Sequence, residues 1–107
     1  MVSIEDLQKL EIKIGRVKSV EKVEGADKLL RFIFDLGGED RQILSGIAEF
    51  YTDLESLVGK ELPIVTNLES RIIRGFESQG MVLVALDQDR AVLLHPDKEV
   101  TPGSLVK

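Results

Sequence analysis

Cysteine and tryptophan are absent from this chain of 107 residues, and histidine occurs only once. Without cysteine the chain can form no disulfide, has no thiolate nucleophile and lacks the soft ligands of many zinc sites. No apolar stretch has the length needed to cross a bilayer, and the first residues do not form a basic-then-apolar signal peptide. These absences indicate a cytoplasmic protein that makes no use of a membrane.

The motifs of the common enzyme classes are missing as well. The chain has no Walker loop, no G-x-S-x-G elbow and no dinucleotide fingerprint. The single histidine, His95, precedes a proline and has no cysteine partner, which favours a structural role. The acidic pairs Glu39-Asp40 and Asp87-x-Asp89 fall in predicted turns, where carboxylates usually face water. We therefore predict a binding module with no catalytic residues, no metal site and no cofactor.

An excess of acidic over basic residues limits the kind of nucleic-acid binding that the chain can perform. The formal net charge is −5. Proteins that bind nucleic acid non-specifically usually carry a basic face large enough to make the net charge positive. A site that recognises shape is compatible with this charge, because a few cations can gather in one patch. With 43% hydrophobic residues, the chain is predicted to form one domain over residues 1–107.

Hydrophobic periodicity predicts an all-β domain with short helices. The predicted elements are a helix at Ile4–Lys9, strands at Glu11–Val23, Lys28–Leu36 and Arg41–Ile47, a helix at Ala48–Val58, and strands at Leu62–Asn67, Met81–Leu86 and Ala91–His95. Breaks in parity predict bulges or a strong bend in the first strand, and residues 96–107 are predicted to be irregular. Three strands, a helix and two further strands follow the order of the OB-fold, a five-stranded Greek-key barrel.

The last two predicted strands are apolar on both faces, over Met81–Leu86 and Ala91–Leu94. A strand of a small barrel buries one face, so the other face needs a cover. Symmetric self-association is the commonest solution, and we therefore predict a homodimer formed through the C-terminal strands. Cover by residues 96–107 of the same chain is the alternative.

Polar hydrogen-bonding residues concentrate between Asn67 and Met81, in the sequence N-L-E-S-R-I-I-R-G-F-E-S-Q-G-M. Arginines can hold phosphates with two parallel hydrogen bonds, and amides and hydroxyls can reach sugars or base edges. The two glycines allow close approach or unusual backbone angles. The pattern predicts either a binding surface or an ordinary polar loop with glycine turns.

Several separate motifs, in the same order, make the sequence resemble the tRNA-binding domain family. They are G-R-V (15–17), G-A-D-K-L-L (25–30), D-L-G-G-E-D-R-Q-I-L-S-G-I (35–47), G-K (59–60), N-L (67–68) and R-G-F-E-S-Q-G-M (74–81). The family includes the C-terminal domain or β subunit of methionyl-tRNA synthetases and small free-standing tRNA-binding proteins. The resemblance covers about Leu7 to Lys107. It implies an OB-fold barrel that dimerises through a C-terminal extension and recognises tRNA shape without catalysis.

The implied partners are tRNA, a second copy of the chain and, as a candidate, a methionyl-tRNA synthetase. A protein-interaction or chaperone-like module on the same fold is the alternative. Carried over by position, the implied tRNA-contacting residues are Lys28, Arg41, Ser45, Asn67, Arg71, Arg74, Ser78, Gln79 and Met81. Arg71 is the weakest of these because the family varies there, and Glu69-Ser70 stands where relatives often have lysine or proline.

Several of these residues have a second interpretation. Met81 begins an apolar strand, so it is either a contact or part of the core. Ser45 is either a contact or a strand serine bonded to the backbone, and the charges of Lys28 and Arg41 are either contacts or simply solvated.

Overall fold

The computed structural model describes residues 1–107, which form mostly antiparallel strands. The strands are β1 (Ile12–Val23), β2 (Ala26–Asp35), β3 (Asp40–Ser45), β4 (Glu61–Val65), β5 (Arg71–Ile73), β6 (Phe76–Ser78), β7 (Met81–Val82), β8 (Val84–Asp87), β9 (Arg90–Leu93) and β10 (Leu105–Val106). The helices are α1 (Ile4–Gln8) and two 3-10 helices at Ala48–Phe50 and Leu54–Leu57. None of the helices has the length and apolar character required to span a membrane.

The main sheet follows the order β3-β2-β1-β4-β7, and β10 pairs with the beginning of β1. β1 also pairs with β4 along its first half and with β2 along its second half. The β1–β2 register shifts after Val17 and again after Lys22, which confirms the predicted bulges. Bulges bend and twist a strand, and this lets one strand contribute to both sides of a strongly curved sheet.

Two hydrogen bonds bring the ends of this strand path together. The Leu44 backbone N–H donates to the Ser78 hydroxyl at 3.0 Å, and the Gln79 N–H donates to the Gln42 carbonyl at 2.9 Å. β3 therefore lies beside the chain that leads into β7, as the predicted barrel requires. No strand ladder joins β3 to β7, so the closed five-stranded Greek-key barrel stays a prediction.

The main core is centred on β2 and also receives side chains from β1, β3, β4, β7 and β9. Leu30, Phe32, Phe34 and Leu36 are all buried, which is the alternation expected of a strand with one face in the core. The rings of Phe32 and Phe34 stack with centroids 5.2 Å apart. Each fully buried side chain of this size contributes about 1.5–3 kcal/mol through removal from water. This packing fixes which residues of β2 and β3 remain on the outside.

The predicted helix at Ala48–Val58 is wrong, because two short 3-10 helices stand there. Tyr51 ends the first of them with an extended backbone, φ −136°. Its hydroxyl accepts a hydrogen bond from the Leu93 N–H at 2.9 Å, which ties this connection to β9. Tertiary bonding of this kind overrides helical spacing when the local propensity is modest.

The predicted strand at Met81–Leu86 is also wrong as one continuous element. β7 ends at Val82, where the chain still pairs with β4. The Leu83 N–H donates to the Pro63 carbonyl at 3.1 Å, and β8 then turns away to form a separate two-stranded sheet with β9. One apolar run therefore contributes to two sheets, because its two halves have different hydrogen-bonding partners.

The C-terminal residues are more ordered than predicted, since β10 pairs with Ile12 and Lys13. Upstream of β10, the Gly103 N–H donates to the Ile14 carbonyl at 2.7 Å. Gly103 has φ +91° and lies directly against the Leu36 carbonyl. The tail is thus fastened across β1 and the turn after β2.

Ion pairing holds the preceding part of the tail. The Arg16 guanidinium is 2.9 Å from the Glu99 carboxylate and 3.6 Å from the buried carboxylate of Glu61. Glu61 also accepts a hydrogen bond from the Val100 N–H at 2.9 Å. The His95 Nδ1 lies 2.9 Å from the Glu61 carbonyl oxygen, a contact of the structural kind expected for this histidine.

The tail does not cover the outer face of the β8–β9 hairpin. On this face, Val92 and Leu94 remain 39% and 40% exposed, respectively. The alternative in which residues 96–107 cover this face is therefore not what the structure shows.

A second exposed apolar surface lies where the two ends of the chain meet. α1 carries a capping box between Ser3 and Asp6, yet it buries none of its residues. Beside it runs a groove of about 700 Å³, which we call the terminal groove. Its apolar lining consists of Ile4, Leu7, Leu10, Ile12, Leu105 and Val106.

Candidate nucleic-acid interface

The polar stretch predicted as a surface or a loop folds as a hairpin of β5 and β6. Its tip is formed by Arg74 and Gly75, with φ values of +52° and +84°. Two consecutive residues with positive φ are what a type I′ hairpin turn requires. The Arg74 side chain is exposed and makes no ion pair or hydrogen bond within the chain. It therefore stands at a fixed hairpin tip and is available to a ligand.

The hairpin is anchored on a small apolar cluster separate from the main core. The cluster consists of Val23, Ala26 and Leu44, with Leu29, Ile73 and Phe76 packed against it. It joins the end of β1, the start of β2, the end of β3 and both sides of the hairpin tip. We call it the hairpin cluster.

Lys28 and Ser45 lie at this same end of the sheet. Ser45 pairs with Leu30 in the β2–β3 ladder, and Lys28 is two residues away along β2. Lys28 is exposed and makes no ion pair. This is compatible both with a contact to a ligand and with a charge that is simply solvated. Ser45 is half-buried, and its hydroxyl makes no hydrogen bond to the chain, so the backbone-bonded alternative is not observed.

Arg41 lies at the opposite end and is largely engaged with its own chain. Its guanidinium donates to the Thr66 carbonyl at 2.9 Å and to the Gln79 carbonyl at 3.0 Å, and it is 3.3 Å from the Glu39 carboxylate. These bonds join β3 to the chain after β4 and before β7. The arrangement gives Arg41 a structural task that the sequence pattern did not reveal.

Asn67 is likewise bonded within the chain through both atoms of its amide. The Glu11 N–H donates to its oxygen at 2.8 Å, and its nitrogen donates to the Lys9 carbonyl at 2.7 Å. Beside it, the Thr66 hydroxyl donates to the Glu11 carboxylate at 2.8 Å. This hydrogen bond, helped by Lys13, holds the pKa of Glu11 below its usual value. Asn67 thus secures the segment between α1 and β1.

The other predicted contacts differ in accessibility. Ser78 is buried, and its hydroxyl is bonded to the Leu44 N–H and to the Gly80 carbonyl. The side chain of Gln79 is half-buried and makes no hydrogen bond, and that of Arg71 is exposed without a partner. Met81 is 49% exposed, so its position favours a surface role over the core alternative.

The model of the family described as "Putative tRNA binding domain" matches residues 12–105. The chain belongs to the tRNA-binding domain family. This confirms the resemblance on which the site residues were assigned.

The relatives of this tRNA-binding domain are parts of larger proteins as well as small ones. The methionine–tRNA ligases of Archaeoglobus fulgidus and Thermotoga maritima are 52% and 48% identical to it over 98% of the chain. The chain spans only 16% of the length of either ligase.

Among solved structures, a MetRS-related protein from Pyrococcus horikoshii matches with a TM-score of 0.92 at 35% identity, over 100% of this chain and 98% of that one. The chaperone CsaA of Bacillus anthracis matches with a TM-score of 0.90 at 28% identity, over 100% and 99%. The tRNA-binding domain fold is thus shared by proteins with differently described roles.

One feature of this tRNA-binding domain was not assigned from the sequence. The Arg31 guanidinium lies 5.0 Å from the centre of the Phe76 ring, and its Nε donates to the Gln42 amide oxygen at 2.8 Å. Arg31 also forms an ion pair with Glu21. The sequence does indicate that Arg31 points away from the core, because it alternates with buried residues of β2. It does not indicate the contact with the Phe76 ring, which lies 45 residues away in the chain.

Proposed function

We propose that the chain binds folded tRNA in the cytoplasm as a non-catalytic module, assisting a methionyl-tRNA synthetase or acting by itself. The observation that carries the proposal is the family match over residues 12–105, supported by the unpaired cations Lys28 and Arg74 at the hairpin end. Folded RNA offers phosphates and 2′-hydroxyls in a fixed geometry, which a few well-placed cations and hydrogen-bonding groups can recognise. A chain with net charge −5 suits such local recognition better than non-specific binding.

The nine predicted site residues contribute unequally to this proposal. Lys28, Ser45, Arg71, Arg74 and Met81 have side chains that a ligand can reach without breaking an internal bond. The polar groups of Arg41, Asn67 and Ser78 already bond within the chain, so we propose that these residues shape the surface. Gln79 is intermediate in accessibility, because its side chain is half-buried but makes no hydrogen bond.

The proposed function predicts a preference for folded RNA. In a titration of the protein with labelled tRNA, a single-stranded RNA of equal length should compete poorly, because it lacks the fixed phosphate arrangement. Equal competition would contradict the recognition of shape. Absence of tRNA binding, together with suppression of the aggregation of a denatured enzyme, would instead support a chaperone-like module, the candidate that the likeness to CsaA favours.

Arg74 offers the sharpest test of the hairpin. Arg74→Ala should weaken tRNA binding and reduce the slope of log K against log salt by roughly 0.7–0.9 if one phosphate contact is lost. The midpoint of unfolding should stay unchanged, because the side chain has no partner in the chain. An unchanged salt slope would show that the hairpin tip does not touch phosphate.

We also propose that the chain forms a homodimer in which a second copy covers the terminal groove. A helix of five residues is not stable by itself in water, and none of the residues of α1 is buried in its own chain. A partner over the groove would bury the apolar face of α1 together with Leu105 and Val106, which are 57% and 40% exposed. The predicted interface through the C-terminal strands would then include β10 instead of depending on β8 and β9 alone.

A further inference from the structure

The cations of this chain divide into those that its own carboxylates neutralise and those that they do not. Of the 14 Lys and Arg side chains, eight form ion pairs with Asp or Glu. The six without such a partner are Lys22, Lys28, Lys60, Arg71, Arg74 and Lys107. A paired cation must give up its carboxylate before it meets a phosphate, whereas an unpaired one loses only water.

Four of these six lie on the elements that meet at the hairpin cluster. Lys22 precedes the cluster residue Val23, and Arg74 follows the cluster residue Ile73. Lys28 is two residues from Ala26 on β2, and Arg71 begins the hairpin. Lys22 also faces Leu30 across the β1–β2 ladder, and Leu30 in turn faces Ser45 across the β2–β3 ladder. β1, β2 and the hairpin therefore carry free positive charge to one end of the molecule.

We propose that the rim of the hairpin cluster is where the phosphate backbone of folded RNA docks, and that Lys22 is a phosphate-contacting residue of this surface. The proposal rests on the proposed function and deepens it, since Lys22 has no place among the residues carried over from the family. Its exposed side chain makes no bond within the chain, and its position is set by the register shift that follows it in β1.

Several contacts keep the cations in fixed relative positions. The Gln42 amide nitrogen donates to the Glu77 carbonyl at 2.8 Å, and Arg31 lies over Phe76, so that both fasten β6 to the outer face of the sheet. Pre-organisation of this kind lowers the ordering cost of binding. The exposed acids Glu24 and Asp27 also lie at this end. These carboxylates prevent the hairpin end from binding polyanions non-specifically. Few phosphates are therefore contacted, and the loss of a single contact is large enough to measure.

The test compares Lys22→Ala with Lys60→Ala in the full chain, using tRNA titrations over a range of salt concentrations. Lys60 is the matched control because it too is exposed and unpaired. It lies beside the β1–β4 pair Arg16–Glu61, roughly 20 Å along β1 from Lys22. Lys22→Ala should weaken binding roughly fivefold at 0.1 M salt and lower the salt slope by roughly 0.7–0.9, while Lys60→Ala changes neither. Lys22→Arg, which keeps the charge, should keep the slope of the unmodified protein.

The outcomes separate this inference from the function on which it rests. If the unmodified protein binds tRNA and Lys22→Ala has the same slope, Lys22 is not a contact and the docking surface is misplaced. Equal losses in Lys22→Ala and Lys60→Ala would show an effect of total charge and would also overturn the proposal. If the unmodified protein does not bind tRNA, the proposed function fails and the docking surface fails with it.

Discussion

Replacing Gly103 with alanine should lower the free energy of unfolding by about 3–5 kcal/mol. A Cβ atom at this position would lie 2.2 Å from the Leu36 carbonyl oxygen, a distance that requires the backbone to move. The residue also has φ +91°, a conformation that side-chain-bearing residues rarely adopt. Movement here would strain the hydrogen bond from the Gly103 N–H to the Ile14 carbonyl and loosen the tail from β1.

The matched control is Gly25→Ala in the β1–β2 turn. Gly25 has a similar φ of +79°, but a Cβ atom there would meet nothing within 4 Å. This variant should therefore lose only the roughly 1–2 kcal/mol that a left-handed backbone costs alanine. Urea denaturation of both variants measures the difference, provided that the dependence on denaturant is unchanged. Equal losses would show that the contact with Leu36 relaxes without cost.

Leu7→Glu should convert the proposed homodimer into a folded monomer. If a second copy covers the terminal groove, the new carboxylate is buried twice across the symmetric interface, at about 3–5 kcal/mol each. The combined cost corresponds to weaker association by on the order of 10⁴- to 10⁷-fold. Stability of the monomer should change little, because Leu7 is 49% exposed in the isolated chain. Sedimentation at micromolar concentration measures the change of mass.

Val92→Glu distinguishes the two apolar surfaces. Val92 lies on the outer face of the β8–β9 hairpin and is 39% exposed. Dissociation by Val92→Glu with no effect of Leu7→Glu would place the interface on that hairpin. A charge at Leu93 is less informative, since Leu93 is buried in its own chain and its replacement would disturb the core. A compact monomer before any substitution would remove the dimer altogether.

The features that depend on local pattern were predictable from the sequence. Strict alternation over β2 identified which side chains enter the core, because successive strand residues point to opposite faces. The parity breaks in β1 identified its bulges for the same reason. The motifs from residues 15–81 identified the family, and they did so before any contact was known.

Features set by distant partners were not predictable. Neither half of the Met81–Leu86 run reveals locally that it pairs with a different strand. Asn67 is a polar residue that follows an apolar strand pattern, which suits a ligand contact, yet its amide accepts a hydrogen bond from the Glu11 N–H, 56 positions away in the chain. Polar residue types suggested a surface, but only the fold shows which polar groups remain free. The proposed contact at Lys22 is the opposite case, because an isolated lysine in a strand carries no local signal of a binding role.

The pairing of β1 with β10 has a consequence for how this domain can be attached to another protein. Ile12, near one terminus, faces Val106, near the other, so a polypeptide joined to either end would leave from the same side. The hairpin cluster lies at the far end of β1, where that strand reaches Val23. A tether at either terminus would therefore leave the cationic end pointing outward. The same geometry makes the domain a suitable subject for circular permutation, since a short linker could join the old ends without crossing the hairpin.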